Sequence, residues 1–392
     1  MIANTLLPAP NTPEIELSQR LDRLRREMER RNLDAVVLSS RQNFEYWTGY
    51  QSLSWAYQAR PLFAVVTHGD MTVIGSAAER RNIEQKARLF EVAYYNGFAR
   101  EAAEAIVDLI AASATVGGNT VAIDWSQDNL GRGSLDLIEG LRARNAGGVI
   151  TGAGDAIWRV RMIKSPFEAE LKRASFKIVN AAFDAAISET HLGVTERQLQ
   201  RSMQSKIILN GAERADPIAM LFSKGDFIYN RPAGERALEA GHYIWTDFRS
   251  TYGGYPADRN RIARAGEPAP WEVDTYRKVR GLTIALCKSI RAGMTGADAF
   301  RNFERLWADA ALGPIYGAVS RVGHGGGLEV TEPPSIMPSS QEVIEEGMIL
   351  HLEPKLETNG AVFQFEEIIY VGENSVTFLS DLSPEQCPLI LR

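Results

Sequence analysis

Carboxylates and a glycine-flanked histidine near the carboxyl end are the residues of this chain best suited to chemistry. They fall in three stretches: Gly323-His324-Gly325-Gly326-Gly327-Leu328-Glu329, Leu352-Glu353-Pro354 and Phe365-Glu366-Glu367. Between the last two stands Asn359-Gly360, and Asn-Gly is the strongest short hairpin signal because both residues tolerate the positive φ of a type I′ turn. A hairpin centred there sets Glu353 opposite Glu366 and turns Glu367 to the other face. Upstream, two β-rich runs flank a turn at Tyr252-Gly253, and a hairpin centred on that pair sets Asp247 opposite Asp258. A single strand carboxylate is ordinarily a solvated edge residue. Two hairpins, each with its acids on one face, make a joint pattern.

Four such carboxylates repel one another unless something cationic lies between them, and two divalent ions would balance their charge. With His324 they form an oxygen-rich set carrying one imidazole, suited to first-row ions such as Mn, Fe, Co or Zn. A hydroxide held between two such ions is the natural nucleophile, because coordination brings water's pKa toward neutrality. One ion can also stabilise a developing oxyanion.

The Asp247 and Asp258 spacing, the run from Gly323 through Val330-Thr331-Glu332-Pro333-Pro334, the Glu353-Pro354 pair and Phe365-Glu366-Glu367 together resemble the M24 metallopeptidases. That family includes Xaa-Pro aminopeptidase, prolidase, methionine aminopeptidase and the creatinase-like proteins, and the resemblance covers roughly residues 155–380. It implies an α+β pita-bread catalytic domain with an internal pseudo-two-fold repeat, preceded by an α/β creatinase-like domain. It also implies that Asp247 chelates one ion, that Asp258 and Glu366 bridge, and that His324 and Glu353 complete the other. Glu353 is the candidate proton shuttle. Two divalent ions, with manganese first, and a homodimer belong to the same implication.

Departures from the family pattern bear on the substrate. Thr331 stands where such peptidases usually carry a second histidine, the loop from Gly225 to Pro232 has none, and Gln364 replaces a usual arginine. The imidazoles that hold and protonate a peptide intermediate are therefore missing, and His68, His191, His242 and His351 fall at none of these places. The expectation is a metal-dependent hydrolase cleaving a C–N bond in a small amide, dipeptide or related solute. Alternatives are a lyase of the same fold acting on dimethylsulfoniopropionate, although Arg249 stands where that clade has an extra acid, and a non-catalytic binding protein. Aromatics crowd the segment from Phe44 to Tyr57; packing of the amino-terminal core explains them, and an aromatic wall at the active site is the sharper reading. Thr331, Asn230, Arg231, Trp55, Tyr57 and Arg60 are the candidate substrate-binding residues.

With 392 residues, 45% of them hydrophobic, the chain can bury two sizeable cores. A formal charge of −6 and the lack of a Lys/Arg block argue against nucleic acid as a partner. Two cysteines, Cys287 and Cys387, provide neither a disulfide framework nor a thiolate zinc site. No run approaches the apolar length of about 18 residues that reads as a membrane span, and the amino terminus lacks a signal-peptide pattern. A cytoplasmic protein acting on a small molecule is the plain expectation.

The elements that must position the acids can be read in order. A helix over residues 17–32, strands at 35–38, 63–66 and 71–74, helices near 77–87 and 100–114, a strand at 120–124 and a helix near 133–143 predict an α/β domain over residues 1–154. The glycine-rich segment 146–155 reads as a boundary, with a catalytic domain over 155–392. Ser165-Pro166-Phe167-Glu168 has the N-cap, first-turn proline and capping-box glutamate of a long helix running to about Thr190. Leu192-Gly193-Val194-Thr195 and Ala292-Gly293-Met294-Thr295 form a weak internal repeat, each glycine ending one helix and each threonine capping the next.

Overall fold

The computed structural model describes residues 7–391 apart from 57–58, 113–119, 126–134, 145–147, 215, 230 and 316–320. The chain divides into two compact units, one formed by Asn11–Arg161 and the other by Met162–Arg392 together with Met1–Pro10.

The Asn11–Arg161 unit is built on a six-stranded sheet in the order β4-β3-β2-β1-β5-β6. Its strands are β1 (Ala35–Leu38), β2 (Phe63–Thr67), β3 (Met71–Ser76), β4 (Glu91–Tyr95), β5 (Thr120–Ile123) and β6 (Val149–Gly152). Its helices are α1 (Glu14–Arg31), α2 (Arg41–Thr48), α3 (Arg80–Lys86), α4 (Ala99–Ala112), α5 (Leu135–Arg144) and α6 (Gly154–Arg161). Alternation of apolar strands with amphipathic helices gives this α/β layer its core, from Val37 and Val65 to Ile106 and Leu141. The glycine-rich segment expected to be a boundary instead supplies β6, paired in parallel with β5, and leads into α6. The division falls after Arg161, because α6 packs on α1 and Arg161 donates to the Asn43 side chain at 2.8 Å. At the other end, residues to Pro10 belong with the catalytic unit, where the Tyr252 hydroxyl donates to the Pro8 carbonyl.

The aromatic stretch packs the core of its own unit. Its first part forms α2: Ser40 caps the helix by accepting from Asn43 N, and Gly49 closes it at φ 66°. Phe44, Tyr46 and Trp47 are buried on it, and the half-buried Trp55 sets its ring 5.5 Å from Phe44, edge to face.

The Met162–Arg392 unit is a pita-bread fold, and its two halves repeat. Helices α7 (Pro166–Glu189) and α8 (Glu196–Leu209) open the first half, and α9 (Pro270–Ser289) and α10 (Gly296–Asp309) the second. Proline starts both long helices, and Glu168 and Glu272 reach back to their cap residues. The turns that follow match closely. Gly193 has φ 90° and Gly293 φ 91°. Thr195 and Thr295 cap α8 and α10 with capping boxes closed by Gln198 and Asp298. Gly193 N donates to Leu238 O and Gly293 N to Ile344 O, each at 2.8 Å. The short Gly-x-Thr signal therefore marks a true structural repeat.

Each half supplies a sheet. The first is formed by β7 (Ala219–Ser223), β8 (Tyr243–Phe248) and β11 (Arg259–Ala265), and β8 continues into a small hairpin of β9 (Thr251–Tyr252) and β10 (Tyr255–Pro256). The second contains β12 (Gly323–Gly325), β13 (Glu332–Ser335), β14 (Ile349–Leu352), β17 (Glu367–Val371) and β18 (Val376–Phe378). Between β14 and β17 the chain forms the β15 (Lys355–Thr358) and β16 (Ala361–Gln364) hairpin, while β19 (Leu389–Ile390) pairs with β11. Cys287 lies in the core of this unit on α9, with burial pushing its thiol well up.

Candidate metal centre

The β15–β16 turn follows the Asn-Gly expectation, with Asn359 at φ 48° and Gly360 at φ 80°. Lys355 pairs with Gln364 and Leu352 with Glu367. These flanking pairs keep one register, so Glu353 and Glu366 stand across from each other. Glu367 faces the other way, toward the Arg259 and Arg261 guanidiniums and the Ser383 amide.

The upstream hairpin is displaced by two residues from its expected register. Tyr252 pairs with Tyr255, leaving Gly253 and Gly254 as the turn at φ 59° and 80°. A turn with two positive φ values favours two glycines over a tyrosine and a glycine. Asp247 therefore pairs with Asn260 rather than with Asp258. Because side chains alternate with period two, a shift of two residues preserves the face, and Asp258 still lies beside Asp247 as its diagonal neighbour.

The residues meet in a buried cluster. Asp258, His324, His351 and Glu366 each offer a ligand atom, all within 4.8 Å of one another, a group able to hold a metal ion. His324 Nδ1 bonds to the Gly325 carbonyl at 2.9 Å, which places the proton on that nitrogen and leaves Nε2 as a lone pair. That Nε2 stands 3.7 Å from Asp258 Oδ2 and 3.6 Å from Glu353 Oε1. Glu366 Oε2 accepts from Asn260 N and its Oε1 meets His351 Nδ1, both at 2.6 Å. Asp247 Oδ1 is buried without a hydrogen-bond partner among the described residues, which leaves an acceptor available to a cation. Unpaired buried acids are costly in their charged form. Burial, then the Asp258 charge, holds the Asp247 carboxyl well above the usual range. Burial followed by Asp258 and Glu353 does the same at Glu366. Glu353 is raised mainly by burial, against the opposing pull of His324. The donor set fits a divalent first-row cation.

Residues 170–373 match metallopeptidase family M24, and residues 20–163 match the creatinase/prolidase N-terminal domain. The chain belongs to metallopeptidase family M24. An Xaa-Pro dipeptidase of Pyrococcus furiosus is 22% identical over 372 residues, covering 94% of this chain and 99% of that protein. An uncharacterized peptidase of Bacillus subtilis is 26% identical over 56% of this chain and 62% of its own length. In structure, the chain is similar to an Xaa-Pro dipeptidase from Bacillus anthracis, with TM-score 0.81 and 20% identity over 95% of this chain and 100% of that one. It is also similar to an X-Pro aminopeptidase from Thermotoga maritima, with TM-score 0.79 and 21% identity over 94% and 99%.

Several features of this M24 centre are absent from the expected site. His351, on β14 directly across from His324, stacks its ring on that imidazole at 4.9 Å and 15°. Its only sequence signal is alternation with Glu353, two residues on. Lys172, on α7, is fully buried with its ammonium on the Pro256 carbonyl at 2.6 Å, and burial holds its pKa down to about 8. The glycine run is a close strand approach rather than a turn: a Cβ on Gly323 would lie 2.3 Å from His351 O, and one on Gly326 would lie 2.5 Å from His351 Nε2.

A cavity of about 320 Å³ opens at Asp247 and Glu353, lined also by Tyr229, Trp245, Phe303, Arg321, Lys355 and Gln364. Lys355 Nζ lies 3.4 Å over the Tyr229 ring. Gln364, at the position of the family's arginine, accepts from Trp245 Nε1 at 2.8 Å and reaches Glu353 at 3.4 Å.

The expected substrate-binding residues fare differently. Arg231 forms a bidentate pair with the buried Glu196, both contacts at 2.7 Å, so its guanidinium is committed to holding the start of α8. Thr331 is exposed between β12 and β13. Trp55 and Arg60 belong to the Asn11–Arg161 unit, where the exposed Arg60 lies 5.8 Å over Phe98. Asn230 and Tyr57 lie outside the described residues.

Proposed function

We propose that this protein is a metal-dependent hydrolase cleaving a C–N bond in a dipeptide or other small amide. The observation that carries this reading is the buried group of Asp258, His324 and Glu366, joined through Glu353, 3.6 Å from His324, to a cavity that Glu353 and Asp247 line. Asp258, His324, Glu353 and Glu366, with Asp247 beside them, are the residues that would hold Mn, Fe, Co or Zn. A bound divalent ion polarises a carbonyl and supplies an activated water near neutral pH.

The remaining work falls to the chain's own side chains. Glu353 lines the cavity with its carboxyl raised by burial, so it is placed to accept a proton from attacking water and return it to the leaving nitrogen. Gln364 holds that carboxylate in place. Tyr229 and Trp245 offer apolar faces, while Arg321 and Lys355 offer positive charge to a substrate carboxylate. The volume sits at the lower end for small-molecule sites, roughly 300–1,000 Å³, which suits a dipeptide-sized substrate.

A cytoplasmic homodimer, with the amino-terminal unit acting as a creatinase-like partner domain, completes the reading; light scattering tests the dimer. Among the described residues no helix is long and apolar enough to cross a membrane. The functional test is to load the protein with each metal and assay a panel of dipeptides and small amides by mass spectrometry. Release of an amine and an acid is expected. Silence across the panel with every metal would leave the binding-protein alternative.

A further inference from the structure

Four clustered carboxylates need balancing charge, which two divalent ions would supply. The structure brings two protein cations into the same cluster. Arg249 Nε lies 3.2 Å from Asp258 Oδ1, and its charge is stabilised by Asp258 and Asp247 together. Lys172 is buried within the field of Asp258 and Glu366. Glu332, paired with Lys164 at 2.8 Å, also acts on Lys172, whereas Glu367 faces Arg259 and Arg261. Arg249 and Lys172 offset half of the carboxylate charge, and one divalent ion offsets the remainder.

Geometry leads to the same count. A carboxylate that bridges two ions gives one oxygen to each. Asp258 has Oδ2 turned toward His324 Nε2, but its Oδ1 is engaged by Arg249. Glu366, the other bridging candidate, has an N–H group on each oxygen, from Asn260 and His351. Asp258, His324 and Glu366 offer atoms within 4.8 Å of one another, and His324 Nε2 lies 3.6 Å from Glu353 Oε1. On the other side of Asp258, Arg249 holds Oδ1, and its charge lies within the field of Asp247.

We infer that this centre is mononuclear, holding one divalent cation per chain at His324, Asp258, Glu353 and Glu366, with Arg249 replacing the second ion of the expected pair. The inference rests on the metal-dependent reading above and concerns only the number of ions. Arg249 then pairs with Asp258 as a fixed counter-charge within the field of Asp247, and Asp247 stands outside the ligand set.

The test is a metal count on the full chain. Protein purified without chelator is loaded with Co(II) or Mn(II), freed of excess by gel filtration and analysed for metal per chain, with electron paramagnetic resonance to separate isolated from coupled ions. One ion per chain, magnetically isolated, is expected. Arg249→Gln should raise the count to two with a coupled signal, and Arg249→Lys should keep it at one. Arg249 is partly exposed, and the parent count needs no variant to fold. Two ions in the parent, or one in Arg249→Gln, would overturn the inference and leave the hydrolase reading standing. No ion in the parent with any metal offered, and no amide cleaved, would remove both.

Discussion

His351 offers the sharpest probe of how this centre is held. Its Nδ1 meets Glu366 Oε1 at 2.6 Å, its ring stacks on His324, and its Nε2 is buried beside Gly326 and Lys172. A lysine ammonium on that side favours a lone pair on Nε2, so the proton belongs on Nδ1 and is donated to Glu366. His351 is then a positioning residue that fixes one ligand by hydrogen bond and another by stacking. Removing such a partner typically costs 10–100-fold in metal affinity, about 1.4–2.7 kcal/mol. That range agrees with the roughly 1.5–3 kcal/mol of a hydrogen bond to a charged group. His351→Leu keeps the bulk and loses the donor, while His351→Gln retains an N–H. Metal affinity measured by competition against a chelating dye should fall 10–100-fold in the leucine variant and recover in part with glutamine, both folded by circular dichroism. A leucine variant that binds metal as tightly as the parent would refute the reasoning and reduce His351 to packing. A loss far beyond a hundredfold would make it a ligand.

Other expectations follow from the same geometry. Gly360→Ala places a side chain in the left-handed region, at about 1–2 kcal/mol, and its Cβ would lie 2.5 Å from the Lys224 carbonyl. The urea midpoint and the metal affinity should fall together, because this turn sets Glu353 against Glu366; an unchanged midpoint would contradict that. Glu196→Gln breaks a buried pair and should cost about 3 kcal/mol, the low end for such changes, because Arg231 is 29% exposed. Burial tends to raise the Glu196 carboxyl, but the Arg231 fork and the Phe222 and Gly234 amides outweigh it and hold it below the usual range. Its contribution is therefore present above the ordinary carboxylate range and lost as pH falls through the lowered value, and a pH series of melting curves should show that acid-side loss absent from Glu196→Gln. Saturating metal at about 100 times Kd should stabilise the chelated protein by about 2.7 kcal/mol, read as a rise in melting temperature that EDTA reverses.

What the sequence made legible was whatever strong local chemistry determined. Asn359-Gly360 admits essentially one hairpin, so the Glu353 and Glu366 pairing could be read without a structure. Tyr252-Gly253-Gly254 admits two adjacent centres, and choosing between them required knowing that both turn residues take positive φ. The two centres differ by two residues in strand register, which preserves the face that Asp247 and Asp258 share. Repeated Gly-x-Thr turns were cheap as motifs, and they gained meaning once Gly193 and Gly293 proved to donate to matching carbonyls. The aromatics near Phe44 pack the amino-terminal core as their crowding suggests, from a helix that Ser40 and Gly49 cap.

The residues that escaped notice share a different property: their importance arises from contacts made by distant segments. Lys172 reaches the cluster from a helix that precedes every ligand in sequence, and no local pattern marks it as other than a surface lysine. Arg249 was legible only as the absence of an acid, although its position between Asp247 and Asp258 makes it part of the charge balance. Trp245, Lys355 and Gln364 stand two residues from Asp247, Glu353 and Glu366 respectively, on the same strand face, so strand alternation placed them in the cavity as surely as it placed the ligands. Ligand spacing is held by the fold's hairpins, whereas the charge and shape around the ligands are set by these neighbours. The neighbours, more than the ligands themselves, will decide how many ions bind and which amide is cleaved.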